Sequence, residues 1–306
     1  MFMQPYLSVI ICSHNPRVHY YERVLKALEF QTLTDERWEL LLVDNASDKV
    51  LASEIDLNWH PYARHIREEQ LGLTHARLRG IKEAQSDILV FVDDDNVLDP
   101  DYLEIVFKIA KNWPIIGAWG GQLRPKFEIP PPAWTEEYLD MLAIREFGRN
   151  KWSNLTSILQ NGAIPVGAGL CVRKVVAEKY ADLILKDPKR STLDRKGQRL
   201  TSCGDLDLAL TACDLGLGTG QFTELGLTHL IPAFRLQEDY LLKLVKSTAY
   251  SFTVLRALRG EAPTLPCYSA RLYQKYAYWR MNSRQRRFEK ARQDGFTLAY
   301  QEISTW

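Results

Sequence analysis

Short apolar runs alternate with amphipathic segments along the first 122 residues. Four strand-sized runs rich in branched apolar side chains predict buried strands, at 7–12, 38–43, 88–92 and 115–122. Amphipathic segments predict the helices between them, at 20–31, 74–84 and 101–112. This alternation indicates an α/β fold with a mostly parallel sheet flanked by helices, in which ligands bind beyond the carboxyl ends of the strands.

The alternation breaks at residues 125–132, where three consecutive prolines can continue neither a helix nor a β-ladder. Further on, the pattern predicts helices at 136–147 and 205–215, strands at 166–172 and 225–230, and a polar loop at 187–202. Two more predicted helices, at 237–259 and 269–293, form a C-terminal helical extension. We therefore expect the chain to divide into three parts, 1–122, 123–235 and 236–306.

Charge and cysteine content exclude several classes of protein. Lysine and arginine number 39 against 38 acidic residues, a balance that argues against a dedicated nucleic-acid-binding protein. The five cysteines are scattered and form no C-x-x-C pair, so neither a disulfide framework nor a zinc site is predicted. This cysteine usage, with no signal-peptide pattern and no membrane-spanning apolar run, leads us to expect a cytoplasmic protein.

Three consecutive aspartates, Asp93, Asp94 and Asp95, follow the third predicted strand. Adjacent carboxylates repel one another and raise one another's pKa, so a positive partner is expected beside them. A divalent cation is one such partner, because Mg²⁺ binds carboxylate and phosphate oxygens. A solvated turn or a set of helix caps is the alternative. Ser13 and Asp44 follow two other predicted strands and are expected at the same rim of the sheet.

Five segments occur in a characteristic order: residues 7–15, LLVDNAS at 41–47, GLTHAR at 72–77, FVDDDN at 91–96 and DPD at 99–101. Their order and spacing resemble family 2 of the inverting glycosyltransferases. The resemblance spans the first 120 residues and continues more weakly to residue 260. It implies the GT-A fold, a Rossmann-like nucleotide-diphospho-sugar transferase fold with an Asp-x-Asp motif, and makes residues 1–122 the donor-binding half and 123–235 the acceptor-binding half.

The resemblance also implies which residues bind a nucleoside diphosphate sugar. Asp44 would receive the base or ribose, with Ser13 and His14 beside it. Asp93 and Asp94 would lie near the ribose and the sugar. His14 stands where the family frequently has tyrosine, a departure that bears on which base is recognised.

A metal ion and its ligands are implied in the same way. Asp95 would bind Mn²⁺ or Mg²⁺ bridging the diphosphate, and His229, within Gly226–Pro232, would supply a further ligand. Without the resemblance, a lone histidine would be interpreted as structural. Arg77 would neutralise phosphate charge; an exposed helix residue is the alternative.

Asp205 is the implied general base, since the segment 202–210 resembles the family's Glu-Asp-x-Asp-Leu motif. A helix cap is the alternative role for Asp205. Gly204 replaces the family's glutamate, a departure that bears on acceptor contacts. Asp207 would support either the fold or an acceptor hydroxyl.

Gly167 and Gly169 resemble the family's small residues behind the acceptor pocket, although close packing between strands also calls for glycine. Trp134 would stack on an acceptor sugar or pack in the core. The loop 187–202 would close over the diphosphate or be mobile. Residues 271–292 mix aromatic and basic side chains, which suits peripheral contact with the inner face of a membrane, or else packing on the catalytic domain.

The leading hypothesis is therefore an inverting, metal-dependent glycosyltransferase that acts on a glycan or lipid-linked acceptor in surface polysaccharide or glycolipid synthesis. A sugar-nucleotide or glycan binding module with drifted catalytic residues is one alternative, kept open by Gly204. A sugar-1-phosphate nucleotidyltransferase is another, although no glycine-rich phosphate loop follows the first strand.

Overall fold

The computed structural model describes residues 5–197, 199–261 and 276–306. Within these ranges the strands are β1 (Leu7–Ser13), β2 (Trp38–Asn45), β3 (Ala63–Glu68), β4 (Ile88–Val92), β5 (Asn96–Leu98), β6 (Ile116–Phe127), β7 (Lys151–Ser153), β8 (Leu170–Arg173) and β9 (Gly218–Ile231). The α-helices are α1 (Val18–Glu29), α2 (Leu73–Glu83), α3 (Tyr102–Asn112), α4 (Lys174–Lys186), α5 (Gly204–Asp214), α6 (Glu238–Leu258) and α7 (Ser283–Ile303).

These strands form one sheet in the order β3-β2-β1-β4-β8-β6-β9-β5, with β7 beside β9. Strands β3, β2, β1 and β4 run parallel, and β6 runs parallel to β9. Strand β8 is antiparallel to both of its neighbours and joins the two parallel groups. The predicted α/β fold is confirmed, and strands from before and after residue 122 share the sheet.

Helices cover both faces of the sheet because its central strands are apolar on both sides. In β1, Val9 and Ile11 face a core that includes α1 and α3. Ile10, between them, faces a second core with α2, α4 and α5. Alternate residues of a strand point to opposite faces, so a continuous apolar run satisfies both layers.

Several predicted elements have different bounds in the structure. Strand β6 continues through Pro125 to Phe127, because its long ladder with β9 tolerates one missing N–H. The helix predicted at 136–147 is instead a 3₁₀ helix at Ala133–Leu142, which ends at Ala143 in a left-handed conformation. The strand predicted at 166–172 is shorter, since only β8 (Leu170–Arg173) is extended in a ladder.

Strands β3, β5 and β7 and helix α4 were not predicted from the pattern. At the C-terminus, α6 confirms the helix predicted at 237–259. The predicted helix 269–293 lies partly outside the described residues; α7 begins at Ser283, where Asn282 forms a capping box with Gln285, and extends to Ile303.

No helix within the described parts of the chain combines the length and hydrophobicity needed to cross a membrane. Four cysteines, Cys12, Cys171, Cys203 and Cys213, are free thiols. Cys267 lies outside the described residues.

Candidate active site

A cavity of about 440 Å³ lies beyond the carboxyl ends of β1 and β4. Nine residues predicted from the sequence line it: Ser13, His14, Arg77, Asp93, Asp94, Asp95, Gly167, Asp205 and His229. They come from segments far apart in the chain, and the strand ends and helix starts of the α/β sheet bring them together.

The three aspartates crowd one wall of this cavity. Burial and repulsion by Asp95 raise the pKa of Asp94 to about 7, although a hydrogen bond from the Ser13 hydroxyl (2.6 Å) opposes the rise. Burial and Asp95 likewise raise the pKa of Asp93. These carboxylates therefore lack enough positive charge beside them to ionise as easily as in water.

Asp95 and His229 face each other because β5 pairs with β9. The pairing places Asn96 opposite His229, and the Leu230 N–H donates to the Asp95 carbonyl oxygen (2.8 Å). Asp95 Oδ2 and His229 Nε2 lie 3.5 Å apart. Burial raises the pKa of Asp95, but Arg235 and His229 outweigh it and hold that pKa well below the usual range.

Arg235 is a cavity residue that the sequence analysis did not identify. It lies in the turn after β9, and its Nη2 donates to Asp95 Oδ2 (2.9 Å). Its Nη1 lies 3.0 Å from His229 Nε2. Only the tertiary structure brings this arginine to the aspartates, 140 residues earlier in the sequence.

The donor set fits a divalent ion in part. Adjacent ligands of a Mg²⁺ ion with bonds of 2.0–2.1 Å lie roughly 3 Å apart, and Asp95 Oδ2 and His229 Nε2 come close to this spacing. The buried Nδ1 of His229 has no hydrogen-bond partner. No group of three His, Cys, Asp or Glu ligands was found in the part of the chain that the structure describes. An ion held here would therefore need further ligands, such as diphosphate oxygens.

Asp205 lies in the first turn of α5 and lines the cavity. Its carboxylate accepts hydrogen bonds from the backbone N–H groups of Gly167 (2.6 Å) and Leu206 (2.9 Å). Burial is the main cause that raises the pKa of Asp205, against the lowering effect of Arg77. A carboxylate oriented by backbone donors, with a raised pKa, is suited to accept a proton.

Arg77 is buried rather than exposed, so the exposed-helix alternative was wrong. Its Nη1 donates to both carboxylate oxygens of Asp194 (2.9 and 3.1 Å), and Thr74 donates to the same carboxylate. Sequence analysis did not identify Asp194. The sequence did contain a signal, because Asp194 is one of only two acidic residues in the otherwise basic and polar loop 187–202.

Gly204, the departure from the family's glutamate, has a steric reason. A Cβ built on Gly204 would overlap the carboxyl group of Asp194. The space next to Asp205 is thus filled by a carboxylate from the loop instead of one from α5. A Cβ on Gly167 would also lie 3.0 Å from Arg77 and 3.1 Å from Asp205, so this glycine leaves room for the charged side chains.

Asp44 lies near the cavity but is not among its lining residues. Its carboxylate accepts from the backbone of Ser47 and Leu51 and from Arg67 (2.7 Å). Burial raises the pKa of Asp44, but these hydrogen bonds more than offset it and the pKa is lowered. The neighbouring Asn45 lines the cavity in its place.

Gly169 and Asp207, both predicted on the acceptor side, lie elsewhere. Gly169 has a left-handed φ of 68°, and its carbonyl accepts from the Tyr102 hydroxyl (2.6 Å) inside the core. Asp207 is fully buried on α5, where Arg190 and Arg259 neutralise its carboxylate. Of its two predicted roles, this geometry supports the structural one.

Trp134, another of the four residues predicted on the acceptor side, also lies outside the cavity lining. The Arg284 guanidinium lies over its ring, 4.5 Å from the centroid, and the ring packs near Tyr138 and Phe288. These contacts correspond to the core alternative.

The loop 187–202 is anchored to the body of the protein. It begins with a 3₁₀ helix at Pro188–Leu193, and the Leu73 N–H donates to the Arg195 carbonyl oxygen (3.0 Å). Arg195 and Gly197 line the cavity. The loop therefore forms one wall of the site in the described conformation.

A second cavity, of about 450 Å³, lies between the 3₁₀ helix Ala133–Leu142, α6 and α7. It shares Met141, Thr248 and Phe252 with the first cavity and is lined mainly by apolar side chains. The two cavities are therefore neighbours with a common wall.

Comparison with known proteins gives a family match. The model of Glycosyl transferase family 2 matches residues 8–172. Polypeptide N-acetylgalactosaminyltransferase 8 of Drosophila melanogaster is 34% identical over 104 residues, 33% of this chain and 18% of that protein. Glucosyl-dolichyl phosphate glucuronosyltransferase of Haloferax volcanii is 24% identical over 148 residues, 46% of each chain. The chain thus matches less than half the length of these curated relatives.

Among solved structures, S. aureus TarS 1-349 in complex with UDP-GlcNAc aligns with a TM-score of 0.53 and 14% identity. The alignment covers 82% of this chain and 66% of that chain. At this identity the similarity concerns the fold, and it agrees with the GT-A fold predicted from the sequence.

We predict that Gly204→Ala destabilises the protein by roughly 1–3 kcal/mol, because the new methyl group would collide with the Asp194 carboxylate. Chemical denaturation of both proteins measures the difference in the free energy of unfolding. Gly162→Ala is the matched control, since nothing lies within 4 Å of a Cβ there. Equal stability of the two variants would contradict the assigned packing.

Proposed function

The chain belongs to glycosyl transferase family 2, and from this premise we propose that it transfers a sugar from a nucleoside diphosphate sugar to an acceptor hydroxyl with inversion. The observation that carries the proposal is that Asp205 and the aspartate triplet line one cavity. Inversion by direct displacement needs a base on the acceptor side and charge stabilisation on the leaving-group side.

We assign the donor side to the wall formed by the ends of β1 and β4. Ser13, His14, Asp93 and Asp94 are proposed to contact the ribose and the sugar. The TarS complex with UDP-GlcNAc, similar in fold, supports a nucleoside diphosphate sugar as the donor class. Contact of Asp44 with the base or ribose stays a prediction.

Asp95 and His229 are proposed to hold a Mn²⁺ or Mg²⁺ ion. When bound, such an ion offsets the charge of the departing diphosphate. A diphosphate adds negative charge beside carboxylates whose pKa values are already raised, so an additional counter-charge is needed there.

Asp205 is proposed to act as the general base. The acceptor oxygen forms a bond to the anomeric carbon, the bond from that carbon to the diphosphate oxygen breaks, and the acceptor proton moves to Asp205. The backbone donors Gly167 and Leu206 orient its carboxylate throughout. Its raised pKa strengthens it as a base at neutral pH.

For the acceptor we propose a glycan carried on a lipid, as in glycolipid or surface polysaccharide synthesis. The apolar second cavity beside the site offers space for an alkyl chain. The Haloferax volcanii relative, whose name includes a dolichyl phosphate, supports this class, whereas the Drosophila melanogaster relative is named for a polypeptide.

Contact with an anionic membrane surface is also proposed for the described part of 271–292. Trp279 is 75% exposed, and Tyr276 and Tyr278 are exposed beside it. The Arg280 and Arg286 guanidinium groups lie over two of these tyrosine rings. Exposed aromatic and basic side chains together favour the membrane interface. Residues 271–275 lie outside the described residues.

We predict that Asp205→Asn lowers sugar transfer by about 10²- to 10⁴-fold, because the amide cannot accept the acceptor proton. Transfer from UDP-GlcNAc to octyl glucoside, with Mn²⁺ present, is the measurement. UDP binding, followed by calorimetry, should remain within threefold of wild type, since the donor side is unchanged.

Asp214→Asn is the control, because it makes the same chemical change on α5 outside the cavity lining and should keep its activity. Unchanged transfer by Asp205→Asn would refute the assigned base. Tight UDP-sugar binding by the wild type, with no transfer to a broad acceptor panel, would favour the binding-module alternative.

We predict that longer alkyl chains improve the acceptor. Each buried CH₂ contributes about 0.8 kcal/mol, so KM should fall steeply from methyl to octyl glucoside. Phe296→Lys, at the second cavity, should remove this dependence on chain length while leaving the KM for methyl glucoside unchanged. Leu298→Lys, an exposed position on the same helix, is the control. Chain-length dependence that survives in Phe296→Lys would contradict this site.

A further inference from the structure

Arg235 contacts both side chains proposed to hold the metal. Its two terminal nitrogens lie 2.9 Å from Asp95 Oδ2 and 3.0 Å from His229 Nε2. A guanidinium has no acceptor, so the contact with His229 is a hydrogen bond in the ring form whose Nε2 lone pair is free. The lone pairs that would bind an ion are therefore directed at one arginine.

The contact is buried. The side chains of Asp95, His229 and Arg235 are 11%, 6% and 14% exposed. A guanidinium and a divalent ion repel each other and cannot occupy the same space between the same two ligands. Ion binding therefore requires Arg235 to move, and a buried cation without its counter-charge is costly.

We infer that Arg235 replaces the metal ion as the positive partner of Asp95 and His229 in the metal-free protein and keeps these two side chains in place. Arg235 competes with the metal ion for them, and it moves to the donor diphosphate when the metal ion and the donor bind together. The inference rests on the metal-assisted transfer proposed above. Arg235 already lines the cavity assigned to the diphosphate, so phosphate oxygens would be within the same enclosure.

This exchange couples metal binding to nucleotide binding. A metal ion alone must displace Arg235 and leave it unpaired. When a metal ion binds together with a nucleoside diphosphate, the displaced Arg235 guanidinium gains the diphosphate oxygens as new partners. Each ligand therefore strengthens the binding of the other by the same factor.

The test measures Mn²⁺ affinity of the full chain by electron paramagnetic resonance of free Mn²⁺, with and without UDP. Without UDP, Arg235→Met should bind Mn²⁺ at least tenfold more tightly than wild type. UDP should raise the Mn²⁺ affinity of wild type at least tenfold and that of Arg235→Met much less. A merely structural role for Arg235 would instead weaken Mn²⁺ binding in the variant.

Two further variants control for charge and for folding. Arg17→Met removes a nearby positive charge that lies over Phe234 and does not contact Asp95, and it should leave Mn²⁺ affinity unchanged. Arg235→Lys keeps a charge but has no fork to contact both ligands, so its Mn²⁺ affinity without UDP should rise at least threefold. This variant provides the test if Arg235→Met does not fold.

The outcomes separate this inference from the proposed function. The inference alone is overturned by two results together. The first is that the wild type binds Mn²⁺ in the presence of UDP and Asp95→Asn does not. The second is that the Arg235 variants, without UDP, bind Mn²⁺ as tightly as the wild type or more weakly. A wild type that binds no Mn²⁺ with UDP overturns both the inference and the metal dependence of the proposed transfer.

Discussion

Crowding of carboxylates at the end of β4 is the constraint on which the site depends. Asp93, Asp94 and Asp95 follow one another where the sheet opens into a cavity, and two of them have raised pKa values. The two buried arginines that line the cavity already form ion pairs, Arg77 with Asp194 and Arg235 with Asp95. A diphosphate that enters this cavity adds negative charge at a place where the buried arginines already have carboxylate partners. The proposed mechanism needs a divalent ion because, among the described residues, no buried positive charge there is left to balance the diphosphate.

The sheet determines which charges can meet. Pairing of β5 with β9 brings Asp95 to His229, and the turn after β9 then places Arg235 against both. In the same cavity, the start of α5 presents Asp205 to the backbone of Gly167. Hydrogen-bonded backbone therefore holds the carboxylate proposed as base, whereas the Arg235 side chain occupies the position proposed for the metal.

Much of the fold could be predicted because its signals are local. The apolar runs of β1 and β4 and the amphipathic pattern of α3 depend on neighbouring residues, and their bounds agree closely with the structure. Strand β5 has three residues and β7 also has three, too few to show a period. The prediction of a helix at 136–147 was wrong because Ala143 adopts a left-handed conformation, which no local pattern in the sequence indicates.

The sequence by itself determined the alternation of strands and helices, the aspartate triplet and the strand ends at which ligands collect, because these follow from local hydrophobic patterns and motif order. Only the tertiary structure decided that Asp194 fills the space beside Gly204, that Asp207 is neutralised by two arginines, and that Arg235 lies against Asp95. These ion pairs join residues from separate elements. Each buried charge takes whichever partner the packing brings within reach, and packing is a property of the whole chain.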